Sequence, residues 1–167
     1  VIGFGGRVLD DALPKYLNSP ETAYFNKSKT LYGLNIARKN SKNGQVILVE
    51  GYMDVIALYQ QGFKNVVATL GTSLTKDHGI ILNKYFNEII LCFDGDQAGT
   101  KANLRSIKIL KDIHRNIKIL LLPSGTDPDD FINKEGKGAF QRKINEALSS
   151  VDYTIYLAQL KYDSSSI

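Results

Sequence analysis

The acidic side chains of this sequence fall where a metal could use them. Glu50 stands directly after the apolar run Gln45–Val49, in VEGYMD. Asp94 and Asp96 follow Glu88–Phe93, in FDGDQAG, and Asp127, Asp129 and Asp130 follow Asn116–Leu122, in SGTDPDD. Asp54 comes one helical turn into the segment after Glu50. If the runs are parallel strands, all of these acids reach one sheet edge, the edge beyond the carboxyl ends where open α/β sheets bind ligands. Like charges about 4 Å apart repel by about 4 kcal/mol at an effective dielectric near 20. Protons, Lys and Arg, or divalent cations must offset such a cluster. Oxygen-only ligands suit hard ions, so Mg²⁺ or Mn²⁺ is the metal expected; the scarcity of His and Cys nearby argues against zinc. Carboxylate-held Mg²⁺ keeps positions for water and phosphate, the arrangement used for chemistry at phosphorus. The structural alternative is that each acid caps the helix after it: Asp96 before Gln97, and Asp127–Asp130 before Phe131. Gly51, Gly71, Gly95 and Gly99 adjoin the strand ends, where a backbone turns tightly or lies close to a ligand.

The elements that would deliver these acids are legible as an alternation. Gln45–Val49, Asn65–Leu70, Glu88–Phe93 and Asn116–Leu122 are rich in Val, Ile and Leu and read as strands. Between them, Tyr52–Gln61, Thr75–Phe86 and Gln97–His114 have helical spacing, with Thr75 placed as an N-cap and Asp77 in the first turn. Strands apolar on both faces and separated by single helices predict an α/β domain, a mainly parallel sheet of about four strands flanked by helices. Residues 1–44 differ: a glycine-rich start, candidate strands around Arg7–Leu9 and Lys15–Leu17, and a helix at Leu31–Arg38. Residues 137–160 read as helical, with Tyr153, Tyr156, Leu157 and Leu160 forming an apolar ridge that wants a partner.

The 167 residues make roughly one domain with a little to spare, and 43% apolar against 23% charged residues excludes collagen-like, mucin-like and wholly disordered chains. No apolar run approaches the length of a membrane span, and nothing in Val1–Asp10 reads as a secretory signal. The chain begins at Val1 rather than Met, which predicts a fragment of something longer. Cys92 is the single cysteine, so no intrachain disulfide and no Cys-based zinc site is expected, and a reducing cytoplasm is the simplest location. The net charge is +4, and residues 1–44 account for all of it with seven basic residues against three acids. That end would face a polyanion such as nucleic acid, or simply be a solvated basic surface.

VEGYMD, ATLGTSLT, CFDGDQAG and GTDPDD together resemble the TOPRIM domain, the metal-dependent fold shared by bacterial primases, topoisomerases and some nucleases. The flanking GFGGRVL, PKYLNSPET, FNKSKTLYGL and EGYMDVIAL are similar to the bacterial replicative primases of the DnaG family, from Val1 to about Ala139. The resemblance implies a division into residues 1–28, a remnant of the basic N-terminal subdomain; 29–136, the TOPRIM domain; and 137–167, the start of a C-terminal helical subdomain. It implies Glu50, Asp94 and Asp96 as catalytic residues. Glu50, Asp94, Asp96, Asp127 and Asp129 would hold Mg²⁺ or Mn²⁺, and Asp54 would line the same site. Arg7, Lys15, Asn18, Lys27 and Lys29 match the basic motifs that track a single-stranded DNA template. Many family members carry Arg after Asp-Gly-Asp, where this chain has Gln97.

The activity implied is template-directed joining of ribonucleoside triphosphates into RNA primers for replication, in a bacterial cytoplasm near the nucleoid. The replicative helicase would be met through regions absent from this chain. Other readings use the same acids. A TOPRIM nuclease would cleave DNA with them, and a TOPRIM topoisomerase would need a strand-cleaving tyrosine in a separate domain, for which none of the nine tyrosines has a suitable setting. A nucleotide- or single-strand-binding fragment without independent turnover is the non-enzymatic alternative. His78 and His114 read as ordinary helix residues and Cys92 as a buried apolar one.

Overall fold

The computed structural model describes residues 1–8, 13, 16–114 and 116–163. Four strands, β3 (Gln45–Val49), β4 (Val66–Ala68), β5 (Glu88–Leu91) and β6 (Ile117–Ile119), lie parallel in one sheet. A fifth, β7 (Leu148–Ser149), pairs antiparallel with β6 and completes the order β4-β3-β5-β6-β7. β7 lies inside the stretch expected to be wholly helical. Two residues carry no periodicity, and their strand character comes from pairing Lys118 with Ser149 and Ile119 with Leu148. Ahead of the sheet, β1 (Gly5–Arg7) and β2 (Tyr16–Asn18) form an antiparallel hairpin, a residue or two from the expected positions; Leu9 and Lys15 lie outside the described residues.

Alternation along the strands sorts the core into two layers, since successive side chains face opposite sides. Val46 and Leu48, Val67, Ile89 and Leu91, and Ile117 and Ile119 face one side. There they meet Ala37 of α1 (Leu34–Asn40), Leu82 of α3 (Lys76–Tyr85), Leu110 of α4 (Gln97–Leu110) and Tyr153 of α6 (Ser150–Asp163). Ile47, Val49, Val66, Ala68, Ile90 and Cys92 face the other, against Val55 and Leu58 of α2 (Tyr52–Gln60) and Phe131, Ile132, Phe140 and Ile144 of α5 (Pro128–Asn145). The expected apolar ridge is thus split. Tyr153 is 1% exposed in the first layer with Leu157 against it, while Tyr156 and Leu160 point outward. α5 changes direction at Gly136, whose φ of 77° is left-handed.

The chain runs β3 to β4 on one side, then crosses to β5 on the other side of β3. The topological switch therefore lies between the carboxyl ends of β3 and β5, where a crevice must open.

Candidate active site

Glu50 and Asp94 leave the sheet on either side of that switch, and the loop after β6 brings Asp127 and Asp129 alongside. Two reciprocal backbone hydrogen bonds set this last approach: the Gly95 N–H donates to the Thr126 carbonyl (2.9 Å), and the Gly125 N–H donates to the Gly95 carbonyl (2.9 Å). A Cβ on Gly95 would run into the Pro123 carbonyl oxygen, so only glycine lets the two loops close on each other. Gly99 is constrained likewise, since a Cβ there would strike the Asp94 carbonyl oxygen.

The result is a cavity of about 510 Å³ with an acidic wall of Glu50, Asp54, Asp94, Asp127, Asp129 and Asp130. Arg7, Tyr16 and Asn18 from the hairpin and Tyr52 from α2 line the same cavity. Burial pushes Asp54 up to about 7, with Asp127, Asp94 and Asp129 adding repulsion, although its Oδ2 accepts the Gly51 N–H at 3.0 Å. Burial likewise raises Glu50, followed by the charge of Asp94. Asp94 is raised by burial, then by Asp127 and Asp96. Asp129 is raised by burial, Asp127 and Asp130, against an opposing pull from Asn133 and Arg7. Four acids that resist ionising because they are buried and crowded by one another form a donor set that a divalent cation would satisfy, and oxygen-only donors fit a hard ion. Among the described residues no three acidic, His or Cys side chains stand in a ready-made ligand shell. The acids share a cavity without a preformed cage.

Two of the acids also do the capping work that was the structural alternative. Asp96 Oδ1 accepts the Gly99 N–H at 2.7 Å and caps α4, and Asp96 is not part of the cavity wall. Asp127 Oδ1 accepts the Asp130 N–H at 2.7 Å and caps α5 while still lining the cavity.

Of the basic-motif residues, Arg7 and Asn18 reach the cavity and Lys27 and Lys29 do not. The Lys27 carbonyl meets His78 Nε2 at 2.9 Å, and Lys29 Nζ lies 3.9 Å from Asp77. Lys15 lies outside the described residues. His78 is held by that carbonyl and by the Thr75 backbone, and His114 Nε2 by the Phe86 carbonyl, so both serve the frame of the domain. Sequence reasoning missed Tyr16, Tyr52 and Met53 as wall residues, whereas Asp130, already placed in the acid cluster without a role, lines the cavity with the others. Tyr52 carried a signal, its place inside VEGYMD beside Glu50; Tyr16 carried none beyond the basic flank.

Residues 47–132 match the family model described as Toprim-like, and residues 1–38 match that of the DNA primase catalytic core, N-terminal domain. The chain belongs to the Toprim family, within the DnaG-type primase cores. A DNA primase of Clostridium acetobutylicum is 54% identical over 155 residues, which are 93% of this chain and 26% of that protein. The chain thus spans about a quarter of the length of the curated primases it matches. The crystal structure of a DNA primase domain from Pseudomonas aeruginosa superposes with a TM-score of 0.88 at 47% identity, covering 96% of this chain and 52% of that one. A DnaG primase catalytic domain solved bound to single-stranded DNA gives a TM-score of 0.81 at 45% identity, covering 89% and 49%. Metal dependence is typical of Toprim primases, and these likenesses favour a primase core over a Toprim nuclease or topoisomerase. No helix among the described residues is long and apolar enough to cross a membrane.

Proposed function

We propose that this chain carries the nucleotidyl-transfer centre of a DNA primase, which joins ribonucleoside triphosphates into short RNA primers on a single-stranded DNA template. The observation that carries the proposal is the convergence of Glu50, Asp94, Asp127 and Asp129 on one cavity that Arg7 and Asn18 also line. In the reaction a primer 3′-hydroxyl attacks the α-phosphate of the incoming nucleotide and pyrophosphate leaves. Glu50, Asp94, Asp96, Asp127 and Asp129 would hold Mg²⁺ or Mn²⁺, which, when bound, offsets phosphate charge and lowers the pKa of the attacking hydroxyl. Asp54, neutral up to about pH 7, would keep the acidic wall from accumulating one more charge. Glu50 sits at the switch point with its proton affinity raised, as suits a group that accepts a proton from the hydroxyl.

Arg7 and Asn18 supply the cavity with a cation and a neutral hydrogen-bonding group, which suit the backbone of template or triphosphate. Lys15, Lys27 and Lys29 would extend this basic track over the N-terminal segment. The division at residues 28 and 136, the cytoplasmic location near the nucleoid and a helicase partner met through other parts of the protein belong to the same proposal. Zinc has no role in it here. In the full-length protein, Glu50→Gln and Asp94→Asn should each lower primer synthesis at least about 100-fold with the circular dichroism spectrum unchanged. Primer synthesis that survives either substitution would refute this assignment of the site.

A further inference from the structure

We infer that Tyr52 is a positioning residue, through which the turn carrying Glu50 fixes the hairpin's Arg7 above the acidic wall; the inference rests on the reading of the site proposed above. Tyr52 stands two residues after Glu50, at the start of α2. Its phenol O–H donates to the Gly6 carbonyl at 2.9 Å, on the strand β1 that ends with Arg7. Its ring meets Tyr16 of β2 edge-on, with centroids 5.3 Å apart, and Tyr32 at 5.8 Å. Tyr16 in turn carries the Arg7 guanidinium 5.6 Å above its ring. A Cβ on Gly5 would come within 3.2 Å of Tyr52 Cε1, so the strand presses against the ring at a residue with no side chain. These contacts make a continuous path from the Glu50 turn through Tyr52 to Tyr16 and Arg7.

The other hydrogen bond from a hairpin strand to the sheet domain, among the described residues, is longer: Asn18 Nδ2 donates to the Leu70 carbonyl at 3.4 Å. Arg7 itself is exposed and has no ion pair among the described residues within salt-bridge distance. Its place over the cavity therefore depends on packing, and the packing depends on Tyr52. Displacing a positioning cation by about 1 Å can lower a rate by about 100-fold, which is the scale on which this strut would act.

The test uses the full-length primase with Tyr52→Phe, Tyr52→Ala, Arg7→Ala and the double variant Tyr52→Ala/Arg7→Ala. Tyr52→Phe keeps the ring and loses one hydrogen bond; kcat should stay within about twofold while the nucleotide KM rises by about 3- to 10-fold. Tyr52→Ala should approach the loss caused by Arg7→Ala, and the double variant should be no worse than Arg7→Ala alone, because the two changes remove one interaction. Hydrogen exchange supplies a readout independent of activity: amides of Gly5–Arg7 and Tyr16–Asn18 should lose protection in Tyr52→Ala, with β3 and β5 unchanged. Additive losses in the double variant, or a hairpin as protected as in the wild type, would overturn the inference. Loss of protection throughout the sheet would also overturn it, since Tyr52 would then serve the fold as a whole. Glu50→Gln run alongside separates the two claims, because activity surviving there refutes the site and leaves the hairpin measurement to judge Tyr52.

Discussion

Asp54 is the acid whose environment departs furthest from water. It is 9% exposed and faces three other carboxylates, so the folded protein keeps its proton up to about pH 7. The unfolded chain releases that proton near the ordinary value of 3.8. Folding therefore takes up a proton between these two values, and stability contributed by this group is present at low pH and lost as pH rises through the window. Replacing Asp54 by Asn, which preserves an acceptor for the Gly51 N–H, removes the titration. We expect the variant to gain on the wild type progressively from pH 4 to pH 8, by up to about 4 kcal/mol. Chemical denaturation of both proteins across that range measures it; parallel pH profiles would show that Asp54 ionises as freely folded as unfolded. Divalent cations would narrow the gap by stabilising the ionised wild type. Asp96 illustrates a different competition at the same scale, in which one carboxylate oxygen is committed to the α4 N-terminus. Spacing alone places Asp96 at the rim but does not say which way it turns, because a cap and a ligand make the same demand of a sequence.

The acid wall is delivered by elements, and the element most sensitive to change is the pair of loops after β5 and β6. Gly95→Ala would force the Pro123 carbonyl away and break the reciprocal bonds to Thr126 and Gly125. We expect a loss of about 2–4 kcal/mol, a clear fall in melting temperature, and weakened Mg²⁺ binding from the separation of Asp94 and Asp127. A variant that melts with the wild type would show that the loops need not touch. Much of this layer is legible in the order of residues alone. Four short Val-Ile-Leu runs, three of them leading into acids and glycine, predict the number of parallel strands and the edge at which Glu50, Asp94 and Asp127 emerge. The hairpin's docking is not legible in that way. The bond from Tyr52 to Gly6 joins residues 46 apart in sequence, and its geometry follows from how two pieces of chain pack, which no local pattern encodes. β7 escapes for the related reason that its strand character exists only in partnership with β6.

For the molecule as a whole, the site is a meeting of opposite charges across a cavity between a small hairpin and a larger sheet. The acids come from three separate loops, so a divalent cation held among them would cross-link those loops and stabilise the fold by mass action. At pH 8, Mg²⁺ in large excess over its dissociation constant should raise the melting temperature by several degrees, following about 2.7 kcal/mol at a hundredfold excess. The shift should vanish in Asp94→Asn. A wild-type melting curve indifferent to Mg²⁺ and Mn²⁺ would mean that the acids are balanced by other means.

The outer border of β4 has a consequence of its own. Tyr32 donates its N–H to the Ala68 carbonyl at 2.9 Å and accepts the Ala68 N–H at 3.1 Å, so a single residue occupies the Ala68 groups on the margin of a strand only three residues long. At the far margin the terminal strand is two residues long. Neither flank offers an extended ladder to a stranger's backbone, a safeguard against sideways stacking into fibres at high protein concentration.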